Sequence, residues 1–202
     1  MPHITHLTKD KKLGKIISPQ DKYVLQKRNH VHLHICASII SQQLSTKVAA
    51  VIYARFLALF NKKNPLPKDI VAIPFEQLRS IGLSNAKTNY VINVCNFFIE
   101  NKLTDARLHK MEDEELIEYL TQIKGVGRWT AEMILMFTLG REDVFAVDDL
   151  GIQQAICKLY NVGAADKKAM KQQMLKIAEK WSPYRTYACR YLWGWKDNSP
   201  KS

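Results

Sequence analysis

The sequence predicts an all-α fold, and three features of its pattern carry that prediction. Apolar residues recur at i, i+3 and i+4 along the chain, whereas the alternation typical of strands is nearly absent. Proline, which interrupts helices, is missing from residues 75–182. Glycine occurs only eight times in 202 residues, so few positions favour turns. A chain of this length forms one compact domain, or two small lobes that share a cleft.

Prolines and capping residues set the helix boundaries in the first part of the chain. Ser18 followed by Pro19 predicts a helix start, because proline is favoured at the first helical position. A helical region is predicted over about 32–60, with a break at the polar residues 41–45. Three prolines make 61–74 a predicted linker.

Glycines and caps also mark the helices that follow. Gly82 ends a short helix, and Ser84 is placed to cap the next one. A run of acids from residue 112 suits a helix N-terminus, where the helix dipole favours negative charge. The predicted helices are 74–81, 85–101, 111–123, 128–139, 149–160, 166–181 and 184–195.

Positive charge is concentrated at the two ends of the chain. The net charge is +11, from thirty Lys and Arg against nineteen Asp and Glu. Residues 1–30 carry a net +5 and residues 158–202 a net +7, whereas residues 31–157 sum to −1. Basic ends suggest a polyanionic partner, most often nucleic acid. A basic surface that only keeps the protein in solution is the alternative.

Neither a membrane span nor a cysteine-ligated metal is expected. The sequence has no apolar run of about 18 residues, and its N-terminus lacks the apolar core of a signal peptide. The four cysteines lie 59, 62 and 32 residues apart, so they form no Cys-x-x-Cys pair of the kind that binds zinc or iron–sulfur clusters. We expect reduced thiols that pack as small hydrophobic residues.

A glycine turn between two predicted helices is the first candidate binding feature. It is Gly125-Val126-Gly127, within the sequence LTQIKGVGRWTA. Glycines let the backbone turn sharply and approach another surface, and the first N–H groups of the next helix can hold a phosphate oxygen. Lys124, Arg128 and Thr130 can add to that contact. The pattern resembles the helix-hairpin-helix motif, which grips a DNA backbone; an αα-hairpin with glycines for close packing is the alternative.

Two adjacent carboxylates, Asp148 and Asp149, are the second candidate feature. They stand at the start of the helix predicted over 149–160. A structural explanation suffices on its own, because aspartate is a favoured N-cap and an acid suits a helix N-terminus. A catalytic explanation is also open, since one three-turn helix and a return loop can bring Asp149 back beside the glycine turn.

Together these segments resemble the helix-hairpin-helix DNA glycosylase superfamily, and within it the DNA-3-methyladenine glycosylase II branch. The resemblance covers about residues 30–196. Each matching segment is weak alone, but five of them follow the family's order. They are IISQQLSTKVA at 39–49, LRSIGLSNAKTNYV at 78–91, IKGVGRWTAEMIL at 123–135, DVFAVDDLGIQQAI at 143–156 and AEKWSPYRTYACRYLW at 178–193.

The resemblance implies a single domain, residues 1–202, that folds as a two-lobed helical bundle with its active site in the interlobe cleft. Its lobes would be mainly 31–104, and 1–30 with 105–202. The implied activity is removal of a damaged base by cleavage of the N-glycosidic bond. The family's essential aspartate falls on Asp149. Lyase-active relatives have a nucleophilic lysine where this chain has Trp129, so the resemblance implies a monofunctional enzyme that leaves the strand uncut.

The resemblance also assigns residues to base extrusion. A base inside a duplex must be turned out of the stack before an enzyme can act on it. The family's wedge, which fills the gap left behind, falls at Gln43 or its neighbours Gln42 and Leu44; a polar cap at a helix kink is the alternative for the two glutamines. Lys87 is equally well explained as a phosphate contact or as a solvated side chain.

A base-binding pocket is the last feature that the resemblance implies. N3- or N7-alkylated purines are cations, and electron-rich aromatic rings attract cations. Trp129 and Trp193 match the family's pocket positions, and Met133, one turn beyond Trp129, would form a wall. Core packing is the alternative for both tryptophans, and we assign Trp181 and Trp195 to the core.

The sequence therefore predicts a monofunctional DNA glycosylase that excises alkylated purines, such as 3-methyladenine and 7-methylguanine, from double-stranded DNA. Two alternatives stay open: a glycosylase for oxidised or deaminated bases, and a non-catalytic DNA-binding module with the same fold. We expect a monomer with no cofactor, no metal at the active site and no membrane association. The resemblance allows a structural monovalent cation at the hairpin. The expected location is the cytoplasm, at the nucleoid, in a bacterium, or the nucleus in a eukaryote.

Overall fold

The structure is a computed structural model, and it describes residues 1–18, 23–163 and 166–198. These residues contain thirteen α-helices and no β-strand, so the predicted all-α fold is confirmed. In chain order the helices are α1 Pro2–Leu7, α2 Lys11–Gly14, α3 Val31–Ser41, α4 Thr46–Ala58, α5 Pro67–Val71, α6 Phe75–Ser80, α7 Asn85–Glu100, α8 Asp105–Lys110, α9 Asp113–Thr121, α10 Arg128–Phe137, α11 Leu150–Tyr160, α12 Lys167–Glu179 and α13 Arg185–Asn198. Within the described ranges, no helix is both long and apolar enough to cross a membrane.

The longer helices begin and end close to the predicted boundaries. The predicted break at 41–45 separates α3 from α4, and the Ser45 hydroxyl caps α4. The Ser84 hydroxyl caps α7, as predicted, by accepting a hydrogen bond from the Lys87 N–H at 3.3 Å. Local capping chemistry therefore decides where these helices start.

The predicted linker at 61–74 is wrong, because α5 lies within it. Pro67 is at the start of α5, and the Asp69 carboxylate accepts the Leu66 N–H at 2.7 Å. Proline stabilises the first turn of a helix even though it disrupts the interior. A cluster of prolines in this sequence therefore starts a helix instead of preventing one.

Three further short helices, α1, α2 and α8, were not predicted. Asp10 caps α2 and Thr104 caps α8, but helices of four to six residues are too short to show an apolar period. Pro19, where the first helix was predicted to begin, lies outside the described residues. Residues 23–30 contain no helix.

The chain divides into two compact units. The central unit is Lys27–Ile134, and the terminal unit is Met1–Gln26 together with Leu135–Ser202. These bounds differ from those of the predicted lobes, since residues 27–30 and 105–134 fall in the central unit.

In the central unit, α7 is the helix against which others pack. It contacts α3, α5 and α6, and α3 also contacts α4. Ile35 and Ile39 of α3 and Val91 and Val94 of α7 are fully buried. Each such side chain contributes about 1.5–3 kcal/mol on burial, so this core fixes the C-terminal end of α3 relative to α7.

In the terminal unit, α11 packs against α13 and α2. Trp181 is fully buried, as predicted, and its ring meets that of Phe145 edge-on at 5.9 Å. Trp195 is half-buried, with the Lys158 ammonium 5.5 Å from its ring centre. The packing of α11 on α13 sets the start of α11 beside Trp193.

Candidate functional site

The glycine hairpin consists of the end of α9, residues 122–127 and the start of α10. Gly125 has φ of 108°, a backbone conformation that favours glycine. A Cβ at this position would lie 2.6 Å from the Cβ of Tyr90, so a side chain does not fit. Asn93, one turn after Tyr90 on α7, donates to the Lys124 carbonyl oxygen at 3.2 Å. The hairpin is therefore built directly onto α7.

Gly127 has different surroundings from Gly125. A Cβ there would meet no atom within 4 Å, and the residue is exposed. Internal packing therefore does not require glycine at position 127. The Ala131 N–H closes the first turn of α10 on the Gly127 carbonyl oxygen at 3.1 Å, and the N–H groups before it belong to the part of a helix that lacks internal partners. The backbone here is open to an approaching anion.

The three side chains predicted to assist at the hairpin are placed differently from one another. Lys124 is exposed, whereas Thr130 is buried. The Arg128 guanidinium donates to both Glu114 carboxylate oxygens, at 2.7 and 2.9 Å, and to Glu132 at 3.1 Å. These contacts, chiefly the hydrogen bonds to Glu114, raise the pKa of Arg128 above its ordinary value. A phosphate has to compete for this guanidinium with Glu114, and the two parallel hydrogen bonds make that carboxylate a stronger competitor than an ordinary surface ion pair.

Asp149 is the N-cap of α11, and its Oδ1 accepts two hydrogen bonds. Oδ1 accepts the Ile152 N–H at 2.8 Å and the indole N–H of Trp193 at 2.8 Å. Two donors on one oxygen fix the plane of the carboxylate and hence the direction of Oδ2. Asp148, by contrast, forms an ion pair with Lys171 of α12. The twin aspartates therefore have separate environments, which their spacing in the sequence does not reveal.

Gly151 leaves room for the contact between Asp149 and Trp193. A Cβ on Gly151 would lie 3.0 Å from Asp149 Oδ1, 3.1 Å from Trp193 Cδ1 and 3.2 Å from Trp193 Nε1. These distances are tighter than ordinary van der Waals contact. The glycine of the Leu-Gly-Ile sequence thus permits the hydrogen bond that orients the carboxylate.

The loop that leads to Asp149 is anchored at the start of α13. Arg185 donates to Asp143 Oδ1 from Nε at 2.7 Å and to Oδ2 from Nη2 at 2.9 Å. Partial burial alone would raise the pKa of Asp143, but hydrogen bonds from Arg185 and Ser182 lower it below its ordinary value. The Thr186 hydroxyl accepts the Val144 N–H at 3.0 Å. One helix therefore holds both the loop and Trp193.

Trp193 also belongs to an aromatic pair that the sequence analysis missed. Its ring centre lies 5.8 Å from that of Phe137, with 37° between the planes, and Phe137 is 37% exposed. Phe137 follows Met133 by four residues and Trp129 by eight on α10, a helical spacing that marks it as a third member of the same stripe. Trp129 is 41% exposed and Met133 is half-buried. The assignment of these two residues to the pocket stays a prediction.

The predicted wedge lies in the turn between α3 and α4. Gln43 is exposed and has φ of 58°, in the left-handed region that few residues other than glycine adopt. Leu44 is 37% exposed, and its N–H bonds to the Ser41 carbonyl oxygen at 3.1 Å. The turn therefore presents consecutive exposed side chains on a constrained backbone.

Lys87 contacts this same turn. Its ammonium donates to the carbonyl oxygen of Ile40 at 2.9 Å and to that of Gln42 at 2.6 Å. Partial burial lowers the pKa of Lys87 below its ordinary value. This placement differs from both explanations that the sequence left open, because they have the ammonium bound to a phosphate or to solvent.

The described residues contain no cluster of three or more His, Cys, Asp or Glu side chains that is arranged to hold a metal ion. At the hairpin, the carbonyl oxygens of Ile123, Lys124 and Gly127 each already accept a hydrogen bond from the protein. A monovalent cation would have to share these oxygens. The cation stays a prediction.

A family model described as "HhH-GPD superfamily base excision DNA repair protein" matches residues 36–180. DNA-3-methyladenine glycosylase 1 of Schizosaccharomyces pombe is 34% identical over 194 residues, which is 95% of this chain and 84% of that protein.

Two solved structures extend the likeness to the fold. A DNA-3-methyladenine glycosidase from Bacillus halodurans has a TM-score of 0.85 and 34% identity, covering 98% of this chain and 90% of that one. The Schizosaccharomyces pombe 3-methyladenine DNA glycosylase Mag1, in complex with abasic DNA, has a TM-score of 0.83 and 32% identity, covering 100% of both chains.

Proposed function

Because the chain belongs to the HhH-GPD superfamily of base excision DNA repair proteins, we propose that it is a monofunctional DNA glycosylase that excises alkylated purines. The observation that carries the proposal is the oriented carboxylate of Asp149, whose Oδ1 is held by the Ile152 N–H and the Trp193 indole. Relatives similar over nearly the whole chain are named for 3-methyladenine, which supports an alkylated purine as substrate.

Asp149 supplies the charge that the reaction needs. An N3- or N7-alkylated purine is positively charged, and it becomes neutral when it leaves with the electron pair of the glycosidic bond. No strong general acid is therefore required, unlike the case of glycoside hydrolysis with its two carboxylates. Positive charge develops on the deoxyribose, where an ionised Asp149 stabilises it. Water adds to C1′ and gives its proton to Asp149 or to solvent.

The hairpin and the turn after α3 serve to bind the duplex and extrude the lesion. The open backbone at Gly127 and the exposed Lys124 hold a phosphate without reading sequence. Gln42, Gln43 or Leu44 enters the space that the extruded nucleotide leaves, and damaged pairs cost the least to open.

Aromatic side chains select the substrate. Trp193 and Phe137 attract a cationic ring more strongly than a neutral one. We propose that Trp129 and Met133 contribute to the same selection. Trp129 also stands where lyase-active relatives have their nucleophilic lysine, so this chain lacks the amine that would form a covalent intermediate with the sugar.

The first test is incubation of the protein with methylated duplex DNA, followed by identification of the freed bases. We expect release of 3-methyladenine or 7-methylguanine and an uncut strand at the abasic site. Duplex binding without any base release would indicate a non-catalytic module. Release only from oxidised or deaminated DNA would overturn the assigned substrate.

Asp149→Asn tests the catalytic assignment. The amide oxygen can still cap α11 and accept from Trp193, so folding and duplex affinity should be retained. The charge is lost, and single-turnover excision should fall about 100-fold or more. Asp148→Asn is the matched control, because it removes the neighbouring carboxylate from a partly exposed ion pair. Equal excision by Asp149→Asn and the unaltered protein would refute the assignment.

The partner is double-stranded DNA that carries alkylated bases, bound by a monomer. We propose that the protein works where its host keeps DNA, in the cytoplasm at the nucleoid or in the nucleus. A sedimentation measurement with and without a lesion-containing duplex tests the stoichiometry.

A further inference from the structure

Lys87 completes the hydrogen bonding of the α3 C-terminus. The last carbonyl groups of a helix lack partners within it. Here the Ile39 carbonyl oxygen accepts the Gln42 N–H at 3.3 Å, and that of Ser41 accepts the Leu44 N–H at 3.1 Å. The oxygens of Ile40 and Gln42 accept from the Lys87 ammonium at 2.9 and 2.6 Å. Every carbonyl from 39 to 42 therefore has a donor, and two depend on one side chain.

These contacts surround a backbone conformation that needs support. Gln43 has φ of 58°, and a residue with a side chain keeps that conformation only where its surroundings determine it. Lys87 binds the carbonyl directly before Gln43, and the Ser41 carbonyl binds the N–H directly after it. A positive charge at the C-terminus of α3 also interacts favourably with the helix dipole.

The position of Lys87 is itself fixed. It lies in the first turn of α7, its backbone N–H bonds to the Ser84 hydroxyl at 3.3 Å, and α7 packs against α3. The two carbonyl contacts join residues 45 and 47 positions apart in the chain. The Lys87 ammonium therefore ties the turn to α7.

We propose that Lys87 is a positioning residue for base extrusion: it holds residues 42–44 in the conformation that enters the duplex, before DNA binds. The proposal rests on the function proposed above for the same turn. Extrusion of a nucleotide costs the free energy of unstacking. If residues 42–44 are already ordered in the free protein, binding does not add the entropy cost of ordering them. Lys87 acts through the turn and makes no contact with the reacting atoms.

Lys87→Met tests the proposal, since it keeps the length of the side chain and removes the donor. The excision rate for 7-methylguanine paired with cytosine should fall about tenfold or more, since two hydrogen bonds from a charged group are removed and a tenfold change corresponds to ~1.4 kcal/mol. Excision of the same lesion from single-stranded DNA should be nearly unchanged, because no base pair has to be opened. Lys87→Arg should recover part of the loss, since its guanidinium can donate to both carbonyls.

A matched control separates position from charge. Lys63→Met removes one positive charge from an exposed site and should leave the ratio of duplex to single-strand rates unchanged. Equal losses on both substrates in Lys87→Met, or no loss on either, would overturn the proposal. A lower melting temperature with an unchanged ratio would assign Lys87 a structural role only.

Amide hydrogen exchange in the free protein gives a readout that needs no enzymatic activity. The Leu44 N–H should exchange about tenfold faster in Lys87→Met than in the unaltered protein or in Lys63→Met. Unchanged exchange would refute the proposal even if the protein excises bases. A protein that releases no base but shows the exchange effect would instead contradict the proposed function alone.

Discussion

The Trp193 indole N–H and the Ile152 N–H both donate to Oδ1 of Asp149, and the surroundings of that oxygen are closely packed. Gly151 is the residue that determines this space, because a Cβ there would come within 3.0 Å of Oδ1 and 3.1 Å of Trp193 Cδ1. A methyl group at position 151 therefore requires the carboxylate or the indole to move by a few tenths of an ångström.

We expect Gly151→Ala to lower the single-turnover excision rate by up to about tenfold, since the added Cβ displaces its neighbours by a few tenths of an ångström and a full 1 Å at a reacting group can cost about 100-fold. Affinity for lesion-containing duplex should change little, because the predicted phosphate contacts lie elsewhere. Gly163→Ala is the control, since a Cβ there meets no atom within 4 Å. A fully active Gly151→Ala protein would show that the hydrogen bond from Trp193 does not matter for catalysis.

Some residues of the candidate site could be predicted from the sequence, and others could not. The family resemblance led to Asp149, and the N-cap preference for aspartate independently predicted the hydrogen bond that its Oδ1 accepts from Ile152. Phe137 was missed although its spacing from Met133 is helical. The partners of Arg128 and Lys87 could not be predicted from the sequence. Arg128 reaches Glu114, and Lys87 reaches the Ile40 carbonyl oxygen, only because separate helices pack together.

The two glycines of the hairpin, Gly125 and Gly127, have different surroundings and therefore different structural roles. Gly125 is needed for internal reasons, namely its φ of 108° and the side chain of Tyr90 against it. Gly127 has open space around it. Substitution of each glycine by alanine should therefore affect different properties.

Gly125→Ala should destabilise the protein by about 1 kcal/mol or more, because it combines an unfavourable φ with overpacking. Gly127→Ala should leave the melting temperature unchanged but weaken duplex binding, since its methyl group faces the approaching phosphate. Thermal unfolding and a binding titration on both variants measure the two effects. If Gly127→Ala binds DNA as well as the unaltered protein does, the hairpin is only a packing device.

The terminal unit depends on a second carboxylate, that of Asp10. Its Oδ2 is bound by the Lys180 ammonium at 2.8 Å, the Tyr160 hydroxyl at 2.5 Å and the Trp181 indole N–H at 3.0 Å. Burial alone would raise the pKa of Asp10, but these hydrogen bonds lower it to about 2. The carboxylate joins α2 to the end of α11 and to the segment before α13.

This shift has a defined dependence on pH. A lowered pKa in the folded state means that the contribution of Asp10 to stability is complete above the ordinary pKa of about 4. It is lost as the pH falls from there to about 2. The difference in unfolding free energy between the unaltered protein and Asp10→Asn should therefore be large at pH 6 and shrink below about pH 4. Asp197→Asn, at a side chain that is 75% exposed, should show no such trend.

Helix-level prediction succeeded where the signal is local. Ser45 and Ser84 cap helices that the sequence placed correctly. Pro67 falls in a predicted linker, because proline can interrupt a helix or begin one. Here it begins α5, where the Asp69 carboxylate accepts the Leu66 N–H. The unit boundary near residue 134 has no local signal, since it falls within a single helix.

The positive charge of the molecule, which is concentrated at the two ends of the chain, favours association with DNA. A net charge of +11 attracts any polyanion, so affinity alone does not distinguish a specific from a non-specific complex. Salt dependence separates phosphate contacts from the rest of the interaction.

Duplex affinity should fall steeply between about 50 and 200 mM salt, with a logarithmic slope near −0.9 for each phosphate contact. Lys124→Met should reduce that slope by about 1 and weaken binding to damaged and undamaged duplex alike, because its contact carries no sequence information. Titrations at several salt concentrations measure both. An unaltered slope would remove Lys124 from the interface.

The capping role of Asp149 has a consequence for how such chains are compared. An N-cap contributes about 1 kcal/mol to its helix whether or not any chemistry takes place, and the Ile152 N–H takes that bond here. A descendant that lost its enzymatic role would still be selected to keep an acid or an asparagine at this position, simply to remain folded. Persistence of the aspartate in a lineage is thus weak evidence of activity, and the indole at 193 likewise has a second role, because its ring packs against Phe137.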